Sequence, residues 1–143
     1  MRSLLRLDSL DPYGGFAPLA IRVFMGTFLV YMSQDNVLGA ARMHEFEQFL
    51  AQHSFPAPAL AARVSVYAQF LCGILVLVGA FTRWAALVLI LNFIVAIAGV
   101  HRALPFRTWL EPCAMLACAT ALFIGGAGRV SVDALLAQRR APR

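Results

Sequence analysis

The chain has 143 residues, 61% of them hydrophobic and only 13% charged, and carries a net charge of +5. A soluble domain has roughly 45–50% apolar and about 25% charged residues, so this composition fits burial in lipid and excludes an ordinary water-facing globule. All twelve basic residues are arginine. They lie mostly at the ends of apolar runs, the pattern of topology signals and headgroup contacts, and no run of four or more offers a nucleic-acid surface.

The first fifteen residues hold Arg2 and Arg6, but Asp8, Asp11, Pro12 and Gly14 interrupt any apolar core, so no cleaved signal peptide is read there. Four apolar runs follow, at roughly 16–32, 64–81, 84–100 and 112–127. A membrane-spanning helix needs about 20 mostly apolar residues, with ~17 a workable minimum. The predicted fold is therefore all-α. It is one polytopic membrane domain, a four-helix transmembrane bundle, with residues 133–143 as a tail and the first span acting as an uncleaved targeting signal.

Between the first two runs, Met43, Phe46, Phe49 and Leu50 fall at helical spacing with Arg42, His44, Glu45, Glu47, Gln48 and Gln52 among them. That periodicity predicts a short amphipathic helix lying on the lipid interface or capping the bundle mouth. Phe55-Pro56-Ala57-Pro58 ends it, because proline cannot continue a helix. Thr82-Arg83 makes the second connection a tight hairpin. Gly125-Gly126-Ala127-Gly128-Arg129 stops the fourth span, and Ser131 or Asp133 then caps a short helix to about Arg139. Four spans place both termini and the second connection on one side, with seven arginines (2, 6, 83, 129, 139, 140 and 143), against four (42, 63, 102 and 107) on the other. The positive-inside rule puts the termini in the cytoplasm and the first and third connections outside, in the periplasm of a bacterium.

Polar groups inside spans are costly and mark the places to look for function. Arg22 is the one charge well within a span; it either snorkels to the cytoplasmic headgroups or is buried against an acid or an anionic ligand. Asp35, Gln69, His101 and Glu111 are expected near the outer ends of their helices, close enough to form one shallow polar site, with Asn92 deeper. Inward stripes are read at Arg22-Gly26-Leu29, at Gln69-Gly73-Val76-Ala80 and at Glu111-Ala114-Cys118-Ala121-Gly125, whose small residues serve close helix packing. A histidine and a carboxylate at headgroup level suit proton exchange with a quinone ring or another small polar molecule, since histidine titrates near pH 6.5. No metal site is expected: His44, His53 and His101 form no ligand pair. Cys72, Cys113 and Cys118 read as small packing residues, with a Cys72–Cys113 bridge as the alternative.

These residues in order resemble the DoxX family of four-helix bacterial membrane proteins over about Leu19 to Asp133. The resemblance is carried by Arg22 and Gly26, the Phe-rich segment with Ser54-Phe55-Pro56-Ala57-Pro58, and the corner Gly79-Ala80-Phe81-Thr82-Arg83. His101 and Glu111, and the closing run from Gly125 to Asp133, complete it. Gln69 stands where many members carry glutamate. Tyr31-Met32-Ser33-Gln34-Asp35-Asn36 stands where they carry His-Gly and then lysine. The resemblance implies a bacterial inner-membrane protein. Some relatives are linked to thiosulfate:quinone oxidoreductase or to membrane oxidoreductase complexes of redox stress. The expected function is thus a small subunit or anchor of an oxidoreductase system that binds quinone near the periplasmic face. Its partners would be the bilayer and either another membrane or periplasmic redox protein or a second copy of the chain. A non-catalytic assembly protein and, behind it, a small-molecule transporter are the competing readings.

Overall fold

The computed structural model describes residues 8–100 and 104–140. Six α-helices run in chain order: α1 Ala17–Leu38, α2 Ala40–Gln52, α3 Pro58–Val78, α4 Thr82–Gly99, α5 Leu110–Gly125 and α6 Val132–Arg140. Short 3-10 turns, Asp8–Phe16 and Phe106–Trp109, precede α1 and α5. There is no strand among the described residues. With their leading turns, α1, α3, α4 and α5 are long and apolar enough to cross a membrane. The molecule is a four-helix transmembrane bundle in a lipid bilayer.

Local sequence accounts for most helix ends. Pro18 and Pro58 open α1 and α3 at positions where the missing N–H costs nothing. Gly79, at φ +73°, ends α3: its N–H and that of Ala80 both reach back to Leu75 O. That pattern is the left-handed cap glycine permits without a Cβ penalty. The expected amphipathic helix is present as α2, and its C-terminus closes in the same way through Ser54 and Phe55. Two boundaries differ most from expectation: α3 opens at Pro58 rather than near 64, and the end of α1 is displaced as well. α1 continues to Leu38, past 32, because nothing breaks it before Gly39. Ser33 stays in the helix, its hydroxyl donating to Leu29 O at 2.6 Å.

The four long helices close into a ring, with α1 packed most extensively on α3 and α4 on α5. Met25, Leu29, Val76, Leu89, Met115 and Leu122 fill the centre. A second cluster, of Met43, Leu50, Ala62, Val66 and Val100, sits beneath α2. The expected inward faces hold on α1, where Arg22, Gly26 and Leu29 are buried, and in large part on α3, where Gly73 and Val76 are. They fail on α5. There Pro112, Met115, Ala119 and Leu122 face the core, and Glu111, Ala114, Ala121 and Gly125 are exposed. The burying stripe is rotated by one position, about 100° around the helix, because Met115 and Leu122 fill more of the core than alanine or glycine would. The three cysteines are free thiols.

Candidate functional site

Polar groups converge at two opposite ends of the bundle. The first centre lies at the end carrying both terminal segments, where Arg129 N donates to Gly15 O. Arg22 is 2% exposed there. Its Nε donates to Val76 O at 2.8 Å and its Nη2 to Leu77 O at 2.9 Å. Its Nη1 donates to Ala127 O at 2.9 Å and Val130 O at 2.6 Å. The guanidinium thus satisfies last-turn carbonyls of α3 and binds them to the segment that enters α6. Arg22 does not snorkel: it is buried, as the second expectation had it, with the charge of Asp133 acting on it but no direct ion pair between the two among the described residues. Four carbonyls take the donors instead, because backbone acceptors left free in lipid are costly.

Three further side chains complete this junction. Asp133 accepts hydrogen bonds from Phe81 N (2.8 Å) and Thr82 N (2.9 Å), capping α4 from 52 and 51 residues away in sequence. Arg83 Nη2 donates to Ile124 O near the end of α5 (3.2 Å). Ser131 Oγ accepts from Ala134 N (3.0 Å) and caps α6. The junction is architecture built from charged groups.

The second centre is a groove at the α2 end. A cavity of about 520 Å³ lies between α2, the Phe55-Pro56-Ala57 turn, α3 and α4. Phe46, Phe49 and Phe55 form one end of it. Leu60, Val64, Leu91 and Val95 line its walls and are more than half exposed on the lipid-facing surface of the bundle. Among its lining residues Ser65 and Asn92 alone have polar side chains, and none is charged. Ser65 and Asn92 each sit seven residues from the α2-side end of their helix, about 10 Å along the axis. Gln69 Nε2 donates to Ser65 Oγ at 3.0 Å. Asn92 Nδ2 is buried and has no hydrogen-bond partner; with Thr82 Oγ1 it is one of two such side-chain atoms among the described residues.

The sequence-predicted residues therefore separate. Gln69 and Asn92 meet the groove, the first through Ser65. Gln69 is not near a helix end as expected: α3 starts at Pro58, so Gln69 lies mid-helix. Arg22 belongs to the opposite end of the bundle. Asp35 and Glu111, on α1 and α5, do lie toward the α2 end, but both are exposed and no side-chain hydrogen bond joins them to each other or to Gln69 or Asn92 among the described residues. His101 lies outside the described residues. Ser65 is the member sequence reasoning missed. Its signal was present: it precedes Gln69 by one turn and falls at Asn92's depth when the hairpin is counted back from its outer ends.

A polar cleft beside α2 holds a third group. Glu47 Oε1 accepts from Arg63 Nε at 3.2 Å, and His44 Nδ1 lies 3.4 Å from Glu47 Oε2. This tie fastens α2 to α3 on the surface. No group of three or more metal-ligating side chains occurs among the described residues.

Comparisons with curated proteins and with solved structures each gave no significant match. The family model described as DoxX matches residues 17–102, from the start of α1 through the end of α4. The match takes in Arg22, the α2 helix, both walls of the groove and the Gly79–Arg83 corner, and leaves out α5 and α6. Spanning more than half of the sequence, it identifies this chain as a member of the DoxX family.

Proposed function

We propose that this protein is a small membrane-embedded subunit or anchor of an oxidoreductase system, and that it holds a quinone in the half of the bundle that carries α2. In this reading the protein sits in a bacterial inner membrane with both termini cytoplasmic, so the α2 end faces the periplasm. The observation that supports it is the cavity between α2, α3 and α4: about 520 Å³, apolar, uncharged and open toward the bilayer. A membrane-soluble ring compound enters such a site from lipid without crossing water, and cavities of about 300–1,000 Å³ accommodate small organic ligands. Resemblance to relatives linked with quinone-dependent oxidoreductases supplies the redox half of the proposal. Glu111, at the same end, and His101 remain the candidates for proton exchange.

Native mass spectrometry of the protein extracted in its own lipids, with quinone released and counted from the same sample, tests this directly. One quinone per chain together with a redox partner supports the proposal. A partner without quinone moves the assignment to the assembly reading, which one observation favours: Arg22, Arg83, Ser131 and Asp133 all serve to close helix ends. Transport is the weakest reading, since the bundle axis is packed with Met25, Leu29, Val76, Leu89, Met115 and Leu122, each at most 2% exposed.

A further inference from the structure

We propose that α6 lies on the membrane surface as an interfacial helix, with its apolar side chains in the acyl region and Arg139 beside the phosphates of anionic phospholipids. The proposal goes beyond the quinone reading and does not depend on it.

Three features carry it. First, the apolar face of α6 has no partner within the bundle. Val132, Leu135 and Leu136 fall at i, i+3 and i+4, on one face of the helix, and all three are exposed. α6 packs extensively on none of the four long helices. Its attachment runs through the opposite side, where Asp133 and Ala134 are half-buried and Asp133 reaches the start of α4.

Second, the depth suits a lipid interface. α6 starts at Val132, soon after α5 ends at Gly125. Trp84, 71% exposed, shares a cleft with Asp133 and Ala134. Tryptophan at the end of a spanning helix sits at headgroup level, which puts the first turn of α6 there too. Phe81, whose N–H is bonded to Asp133, and Val130 are also exposed, so apolar surface extends from the spans to α6.

Third, the charge fits an anionic leaflet. Arg83, Arg129 and Arg139 are exposed at this end. Besides Arg22 the end carries seven arginines against three aspartates, at 8, 11 and 133. Asp133 has both oxygens engaged by N–H groups of α4 and opposes the lipid phosphates least. An amphipathic helix with basic residues binds such a surface through buried apolar area and charge together. Three aliphatic side chains fall well short of the ~800 Å² that each partner of a stable protein interface buries, which argues against a second copy as the cover. Because Asp133 stands in the first turn of α6, lipid that holds α6 also holds this carboxylate against α4.

The experiment uses the full chain in lipid nanodiscs with two probes, phosphatidylglycerol and phosphatidylcholine, each carrying a photoreactive diazirine on an acyl chain. Labelled residues are mapped by mass spectrometry. The parent is compared with the double variant Leu135→Gln, Leu136→Gln and with Arg139→Gln. The expected result is labelling of α6 that favours phosphatidylglycerol. The double variant should lose that labelling and keep the parent's unfolding temperature in detergent. In Arg139→Gln the preference for phosphatidylglycerol should fall about fivefold, the scale of one basic residue at an anionic surface. Absence of label on α6 from either probe overturns the proposal. Equal labelling by the two probes overturns its anionic part. Label that survives in the double variant, or a lowered unfolding temperature there, overturns the assigned face. An unlabelled α6 in a dimer that the double variant abolishes replaces lipid with a second copy.

Discussion

The Arg22 guanidinium lies directly against Gly79, close enough that a Cβ on that residue would overlap its Nη2 and Cζ atoms. Gly79 also holds φ +73°, and a built Cβ would stand 2.7 Å from Ser131 Cβ. Backbone conformation and space therefore make the same demand. Gly79→Ala is expected to destabilise the bundle by roughly 3 kcal/mol: about 1 for the left-handed backbone and the remainder for displacing Arg22 from its carbonyls. Thermal unfolding in mild detergent checks this, and a loss of under a degree would show that the arginine can move aside freely.

Replacing Arg22 itself separates charge from geometry. Lysine retains the charge, but its three donors radiate from one atom and do not match carbonyls spread around a planar fork. Arg22→Lys is expected to keep a folded but clearly less stable protein. Arg22→Met leaves the acceptors of Val76, Leu77, Ala127 and Val130 without this partner and should cost more, on the order of 3 kcal/mol or above. Equal stability of the two variants would mean that charge contributes nothing at this position. Protease sensitivity near α6 should rise in parallel, because the arginine anchors the segment leading into it.

Much of this architecture was legible in the sequence, for reasons visible in particular residues. Apolar runs of bilayer length predict spans whatever their packing, and proline and glycine at 18, 39, 58 and 79 mark helix ends through local backbone physics. The amphipathic α2 followed from the spacing of Met43, Phe46, Phe49 and Leu50. The identity of the candidate site did not follow. Arg22 finds acceptors 54 to 108 residues away, and Asn92 acquires its meaning only where α3 and α4 leave a groove. Side-chain type signals a cost in lipid; the packing decides which partner offsets it. The inward face of α5 was misplaced for the same reason, since small residues pack closely only where a neighbouring helix is present.

Asp133 offers a sharper test of the junction at the terminal end. Its two oxygens accept from consecutive N–H groups at the start of α4, Phe81 and Thr82. Asp133→Asn keeps one acceptor and should be mildly destabilising. Asp133→Ala removes both and should cost about 1–2 kcal/mol, the usual range for a lost helix cap. Phe81 sits at φ +49°, a strained conformation for a non-glycine residue, so this bond also holds the corner in shape. Phe81→Gly relieves that backbone strain and is expected to recover part of the loss in the Asp133→Ala background. A double-mutant cycle read by thermal unfolding measures the coupling, and strict additivity would show that the carboxylate does not support the corner.

Three glycines rank the helix contacts by closeness. A Cβ on Gly26 would stand 2.8 Å from Leu77 Cβ and 2.9 Å from Gly73 O, so α1 and α3 approach too tightly there for alanine without backbone movement. On Gly73 the nearest neighbour is Leu29 Cβ at 3.0 Å, followed by a Val30 methyl at 3.3 Å that can shift slightly. On Gly125 there is nothing within 4 Å. Alanine at position 26 should therefore be the most damaging, by about 2 kcal/mol, since overpacking costs typically 1–3. At 73 the effect should be smaller. At 125 alanine should be neutral or slightly stabilising, because it raises helix propensity without meeting a neighbour. Unfolding temperatures of the three variants in the same detergent give the order. Membrane helices associate through close backbone approach, so the first substitution should also loosen the α1–α3 contact that carries Arg22 to the end of α3. Faster hydrogen exchange at Leu77 and Val78 in Gly26→Ala than in Gly73→Ala would register that loosening; equal exchange in the two would place the tight contact elsewhere.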